Sequence, residues 1–241
     1  MIALVTGAGV RGGKALALAL GTAGYDLELC CHRSLTATER VAERVRKLGR
    51  KATVRQVDLA DGAAVDALTS DLRRRHRRLD LLVHNAGTFA RTPFPETTRT
   101  ALAHALEVHV AAPFFLTQGL LPLLRAARAP SIVALGDIFG ERPVVDFAAH
   151  CVSKAALHML VRQLAVELAP KVRVNGIAPG VVLWPSEELG QGARDAALTR
   201  VPLAREGSPD DVARTVLFLA REAPFMTGQL LTLDGGRSVP L

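Results

Sequence analysis

His150 and Lys154 lie four residues apart in a segment patterned as a helix, Phe147 to Leu168, so an imidazole and an ammonium share one face. Such a pair can hold and pass a proton near neutral pH, because an unperturbed imidazole titrates near about 6.5. The spacing itself is common on solvated helices and gains meaning only from its surroundings. Another proton-handling group, Asp137, follows the apolar run Ser131 to Leu135, where a strand ends in a loop. A carboxylate there either caps its own loop or favours a charged imidazole, whereas Lys154 opposes that charge.

The surroundings are set at the start of the chain. Ile2 to Val5 is a short apolar run, separated by glycines from a helical stretch, Lys14 to Leu20. Gly7, Gly9 and Gly12 satisfy GxGxxG, and Gly13 offers a second spacing. Between a strand and a helix, such glycines let backbone approach a pyrophosphate, and the helix N-terminus offers free N–H donors. A dinucleotide is the expected ligand.

The second strand, Leu27 to Cys31, ends where an NAD site places an acidic residue, yet His32, Arg33 and Ser34 stand there. A guanidinium and a hydroxyl suit a 2′-phosphate, and Arg11 adds positive charge from within the turn, so NADP(H) is expected over NAD(H). Hydride transfer to a C=O or C=N bond builds negative charge on the heteroatom. His150 is the candidate group to relieve it with a proton, and Asp137 is the second.

Positioning these residues requires alternating strands and helices. Helical patterns cover Thr38 to Leu48, Asp61 to Arg75, Thr97 to Arg128 with expected interruptions at Pro113 and Pro122, and Asp210 to Ala220. Strand patterns cover Ala52 to Val57, Leu79 to His84, Ser131 to Leu135, Val172 to Ile177 and Leu230 to Leu233. An irregular stretch, Ala178 to Gln191, is a candidate lid. The alternation predicts one α/β domain over residues 1–241, a doubly wound, mostly parallel sheet with helices on both faces. Ligands then belong at the carboxyl ends of the strands.

Composition narrows the function classes. Of 241 residues, 49% are hydrophobic and 22% charged, which argues against a disordered or fibrous chain. No apolar run reaches the roughly 20 residues of a membrane span. Met1 to Thr6 enters a strand without a secretory signal, so a cytoplasmic protein is expected. Three cysteines, with Cys30 and Cys31 adjacent, provide neither a disulfide framework nor a metal site. The net charge is +7, and Arg73 to Arg78 form a basic run. That run closes a helix whose Val65, Leu68 and Leu72 face inward, and no aromatic residues interleave with it, so it reads as a solvated helix end rather than a nucleic-acid site.

Several short motifs occur in one order: Thr6-Gly7 through Arg11 and Gly13, Asp58-Leu59, Asn85-Ala86-Gly87, Asn175 through Pro179-Gly180, and Thr227-Gly228 through Asp234-Gly235-Gly236. Together they resemble the short-chain dehydrogenase/reductase family across essentially the whole chain. The resemblance implies a Rossmann fold with Asp58 and Leu59 at the adenine, Asn85, Ala86 and Gly87 in a turn at the cofactor, and Pro179 and Gly180 beside the nicotinamide.

Within the family the chain is most similar to pteridine and dihydromonapterin reductases, on Arg11, His32-Arg33-Ser34, Phe89 and Asp137. By that resemblance Phe89 stacks on a pterin; read from its type alone, it is equally a loop-anchoring core residue. Of the family's Asn, Ser, Tyr and Lys tetrad, the resemblance leaves Lys154, with His150 at the tyrosine position, Asp137 at the serine and His109 at the asparagine.

The implied activity is NADPH-dependent reduction of a pteridine or a similar conjugated C=N or C=O compound. The implied substrate loop is 178–191 with Trp184, and the implied assembly is a homotetramer packed through Phe147 to Leu168 and the C-terminal segment. Two alternatives stand beside it. One is a carbonyl reductase of secondary metabolism; the other, motivated by His150, is an NADP(H)-binding sensor or partner protein whose catalysis has decayed.

Overall fold

In the computed structural model, which describes residues 1–180 and 198–239, the short apolar runs become strands covered on both faces. The strands are β1 (Ile2–Thr6), β2 (Asp26–Cys31), β3 (Ala52–Gln56), β4 (Leu81–His84), β5 (Ser131–Leu135), β6 (Arg173–Pro179) and β7 (Leu230–Leu233). They form one sheet in the order β3-β2-β1-β4-β5-β6-β7, and every neighbouring pair is parallel. Parallel neighbours require crossovers, which the helices supply.

Strand alternation divides the core into two. Ala3, Val5, Leu27 and Leu29 pack with Leu16 and Leu20 of α1 (Arg11–Thr22), Val41 and Val45 of α2 (Leu35–Lys47) and Val212 and Val216 of the last helix (Pro209–Arg221). Leu4, Leu82 and Ile132 point the other way. They meet Leu68 and Leu72 of α3 (Gly62–Arg75), Leu116 and Leu120 of α5 (Ala112–Arg125), and Leu157 and Val161 of α6 (Ala148–Leu168). Helices on both faces of a parallel sheet confirm the expected fold class. Because β1 pairs with both β2 and β4, successive crossovers leave in opposite directions at that point. A crevice therefore opens above the carboxyl ends of β1 and β4.

The stretch from Thr97 to Arg128 differs from expectation. Rather than breaking at Pro113 and Pro122, it runs as α4 (Arg99–Leu106), a π turn (Glu107–Ala111) and α5, a continuous rod of 27 residues. Pro113 directly follows the π turn, where the Ala112 N–H bonds back to the Glu107 carbonyl and the ladder is already shifted, so its missing N–H is tolerated. Pro122 is accommodated inside the helix, and its carbonyl still accepts from Ala126 N–H at 3.2 Å. By length and composition this rod is long and apolar enough to cross a bilayer, although His104, Glu107 and Gln118 keep it from being an uninterrupted apolar run; Leu116, Leu120 and Leu124 are fully buried in the core.

The strand β6 continues through Ala178 and Pro179, which pair with Thr232 and Leu233, so the irregular stretch begins later than expected. The remainder of the candidate lid, Trp184 included, lies outside the described residues. The basic run is partly neutralised. Arg74 and Arg75 pair with Asp71 at 3.2 and 2.8 Å, Arg78 with Asp80 at 3.4 Å, and His76 Nε2 with Glu28 at 2.8 Å.

Candidate active site

The crevice is a cavity of about 870 Å³. One arm is built by the first turn. Gly7 has φ +68°, and a Cβ there would come within 2.9 Å of Ala86 Cα; a Cβ on Gly13 would collide with the Gly7 carbonyl oxygen. Helix α1 therefore seats directly on the backbone of the turn, and Gly13 gives the close spacing. Asn85 fixes this turn from the next strand: its Nδ2 donates to the carbonyls of Thr6 and Gly7 at 2.9 and 3.0 Å. The Thr6 hydroxyl accepts from the amides of Asn85 and Ala86 at 3.0 Å each.

Val10 at the N-cap of α1 offers no side-chain hydrogen bond, and Arg11, Gly12 and Gly13 of the first turn line the cavity, where the positive end of the helix dipole suits an anion. Arg11 itself adopts φ +49°, a left-handed conformation unusual for a residue with a Cβ. Around this arm the wall carries Gly87, His32, Arg33, Ser34, Asp58 and Leu59. His32 Nε2 stands 3.6 Å from Asp58 Oδ2, and Asp58 Oδ1 accepts from Ala60 N–H.

The other arm holds the proton-handling groups. Asp137 begins a 3₁₀ turn (Ile138–Gly140) and accepts from Phe139 N–H at 2.9 Å through Oδ1, so it does cap its loop. Its Oδ2 lies 3.2 Å from His150 Nε2, so it also faces the imidazole. His150 Nδ1 is 3.1 Å from the carbonyl of Thr88. Both ring nitrogens thus meet acceptors, and the ring can donate to both only as the imidazolium. The Lys154 ammonium donates to the Leu135 carbonyl at 2.7 Å. Burial pulls its pKa down from 10.5 to about 8, with Asp137 opposing the shift.

His109 is placed differently from the rest of its expected set. It sits in the π turn, buried behind the wall, and does not line the cavity. Its Nε2 accepts from Thr88 N–H at 2.9 Å, which leaves Nδ1–H to donate to Ser153 Oγ at 2.8 Å. Ser153 in turn donates to the His150 carbonyl at 2.9 Å. Burial first, then the charge of Lys154, depresses the His109 pKa far below the ordinary value. It is a neutral brace, closing a ring of hydrogen bonds through Thr88, His150 and Ser153.

Phe89 also reaches the wall. Its ring stacks on Phe147 at 4.4 Å between centroids, and the His150 ring meets its edge at 4.7 Å. Pro179 and Gly180 line the cavity as well, so every expected cofactor-binding residue, together with Asp137, His150 and Phe89, comes to one cleft. The sequence reading missed Phe139, Phe147 and Arg237. Phe139 lies two residues beyond Asp137, and Arg237 follows the Asp-Gly-Gly turn; proximity to those motifs was the available signal.

A family model described as Enoyl-(Acyl carrier protein) reductase matches residues 9–238. The chain is 34% identical to an uncharacterized oxidoreductase of Mycobacterium tuberculosis, over 99% of this chain and 92% of that one. It is also 34% identical to a 3-oxoacyl-[acyl-carrier-protein] reductase of Aggregatibacter actinomycetemcomitans, over 97% of each, and 30% identical to a 7alpha-hydroxysteroid dehydrogenase of Escherichia coli, over 97% and 92%. A solved mutant of a Serratia marcescens short-chain dehydrogenase/reductase superposes with a TM-score of 0.91 at 29% identity, over 99% of this chain and 98% of that one. With the crevice, the glycine turn and these matches in agreement, the chain belongs to the short-chain dehydrogenase/reductase family of oxidoreductases, which use a nicotinamide dinucleotide.

Proposed function

We propose that the protein is an NADP(H)-dependent reductase of a flat, conjugated C=N or C=O compound, with a pteridine as the first candidate. One observation carries the reading: the His150 imidazole is held between the Thr88 carbonyl and Asp137 Oδ2, on a cavity wall that also presents the exposed Phe89 ring.

The cradle fits the cofactor. The turn at Gly7 and Gly13 and the uncapped start of α1 suit a pyrophosphate, Asp58 and Leu59 suit the adenine, and Arg11 and Arg33 suit a 2′-phosphate. When bound, the nicotinamide supplies the hydride. His150 Nε2 supplies the proton, because Thr88 retains Nδ1–H and so fixes the neutral tautomer left after donation. Asp137 Oδ2 faces Nε2 at 3.2 Å and orients the ring, and Lys154 adds positive charge near the developing anion. Phe89 presents a face on which a planar substrate can stack and exclude water.

NADPH oxidation with dihydropterins and with simple ketones tests this. Turnover of dihydropterins with a preference for NADPH over NADH is expected. Turnover of ketones alone favours a second reading, a carbonyl reductase, which is supported by the names of the acyl-carrier-protein reductase and hydroxysteroid dehydrogenase relatives. A homotetramer is part of the proposal. Val152, Met159 and Val166 recur at seven-residue intervals on α6 and are exposed, as are Phe114 and Phe115 on α5.

A further inference from the structure

Arg237 reaches the cavity from the edge strand β7, the side opposite β2 and β3, where Arg33 and Asp58 stand. The turn that carries it is rigid. Asp234 Oδ1 accepts from Gly236 N–H at 2.8 Å and its Oδ2 from Ser238 N–H at 2.6 Å, while a Cβ on Gly236 would press on Pro202 at 3.0 Å. The guanidinium carbon lies 5.5 Å from the centre of the Phe139 ring, in the same aromatic group as Phe89.

The side chain makes no hydrogen bond or ion pair with any described residue. The two acids whose fields reach it are engaged elsewhere, Asp234 with its own turn and Asp137 with Phe139 N–H and His150. Burial lowers the Arg237 pKa, as does the nearby Arg200. A partly dehydrated guanidinium whose fork of donors is unmatched among the described residues is costly to keep, unless a ligand completes it.

We propose that Arg237 anchors a carboxylate on the substrate, so that the cleft takes a flat conjugated acid, its ring against Phe89 and Phe139 and its carboxylate on the guanidinium fork. A planar carboxylate matches that fork in two parallel hydrogen bonds, which an ammonium could not supply. The inference rests on the reading of this cleft as a reductase site, and it moves the expected substrate from neutral rings toward acidic ones.

The probes are quinoxaline-2-carboxylate and quinoxaline-2-carboxamide, titrated calorimetrically into the full chain with and without NADP⁺. The wild-type protein should prefer the acid by about tenfold or more. Arg237→Gln should bind both probes equally, with carboxamide and NADPH affinity unchanged, and Arg237→Lys should recover part of the preference. An acid preference that survives in Arg237→Gln, or no acid preference in the wild type, overturns the proposal. So does a tenfold loss of NADPH affinity in Arg237→Gln, which would assign the arginine to the cofactor. Failure of the wild-type protein to bind NADPH counts against the cofactor reading alone, since the acid preference is also measured without it.

Discussion

The His150 ring is fastened to Thr88, donating from Nδ1 to the carbonyl at 3.1 Å, while the amide of the same Thr88 donates to His109 at 2.9 Å. The backbone of one residue thus sets the orientation of the candidate acid through its carbonyl and is itself held by a neutral histidine through its amide. Replacing His150 by alanine should lower kcat/KM about 10²- to 10⁴-fold and leave NADPH affinity within about twofold. If the wild-type protein has no activity and His150→Tyr gains it, catalysis has decayed in this chain.

His109→Ala strips partners from the Thr88 amide and the Ser153 hydroxyl. It should cost about 2–4 kcal/mol of stability in a urea titration and reduce kcat more than it alters the KM for NADPH. A variant that remains fully stable, with unchanged kcat, would show that Thr88 is held without the brace.

Arg33→Glu should shift the ratio of NADPH to NADH affinity toward NADH by about 10- to 100-fold, because a carboxylate repels a 2′-phosphate that the guanidinium would pair. Fluorescence titration of both cofactors reads the ratio directly. An unchanged ratio removes Arg33 from the cofactor site.

Lys154 titrates at about 8 in the fold against 10.5 in the unfolded chain, with burial as the leading cause. Between those values the unfolded chain holds a proton that the folded one has released. Stability contributed by this group therefore rises with pH across the window, by up to about 1.4 kcal/mol per unit, and below the window the penalty is constant. Urea unfolding at about pH 8 and about pH 10 should show the wild-type protein gaining stability relative to Lys154→Met. A relative loss would mean that a partner holds the ammonium charged.

Val166→Glu on α6 should lower the apparent mass in analytical ultracentrifugation if that helix is an interface, while the circular dichroism spectrum remains unchanged. Val166 is 77% exposed in the single chain, so a carboxylate there costs the isolated fold little. An identical mass for both proteins places the interface elsewhere or leaves the chain monomeric.

The cofactor arm was legible because its requirements are local: glycines in one turn, charge at one strand end, and each motif at the carboxyl end of a strand. The proton-handling arm was only half legible. The one-turn spacing of His150 and Lys154 can be read along the chain, but the role of His109 depends on Thr88 and Ser153, which lie 21 and 44 residues away. The family resemblance made His109 a candidate by its position at the tetrad asparagine; its two filled ring nitrogens make it a brace. The prolines misled in the long rod because a π turn already relaxes the backbone just before Pro113. Arg237 carried no periodic signal beyond its place after the Asp-Gly-Gly turn, and the return of the last strand to the sheet edge brings it to the cleft.

If Arg11 meets a 2′-phosphate as proposed, it links heat tolerance to cofactor choice. Its left-handed backbone, at φ +49°, is a conformation that glycine would adopt with about 1 kcal/mol less strain. A substitution there that made the protein harder to melt would also remove a positive charge from the phosphate end of the cleft. Variants selected for robustness alone should therefore drift toward cofactor indifference, and screens that reward discrimination should keep the strained turn.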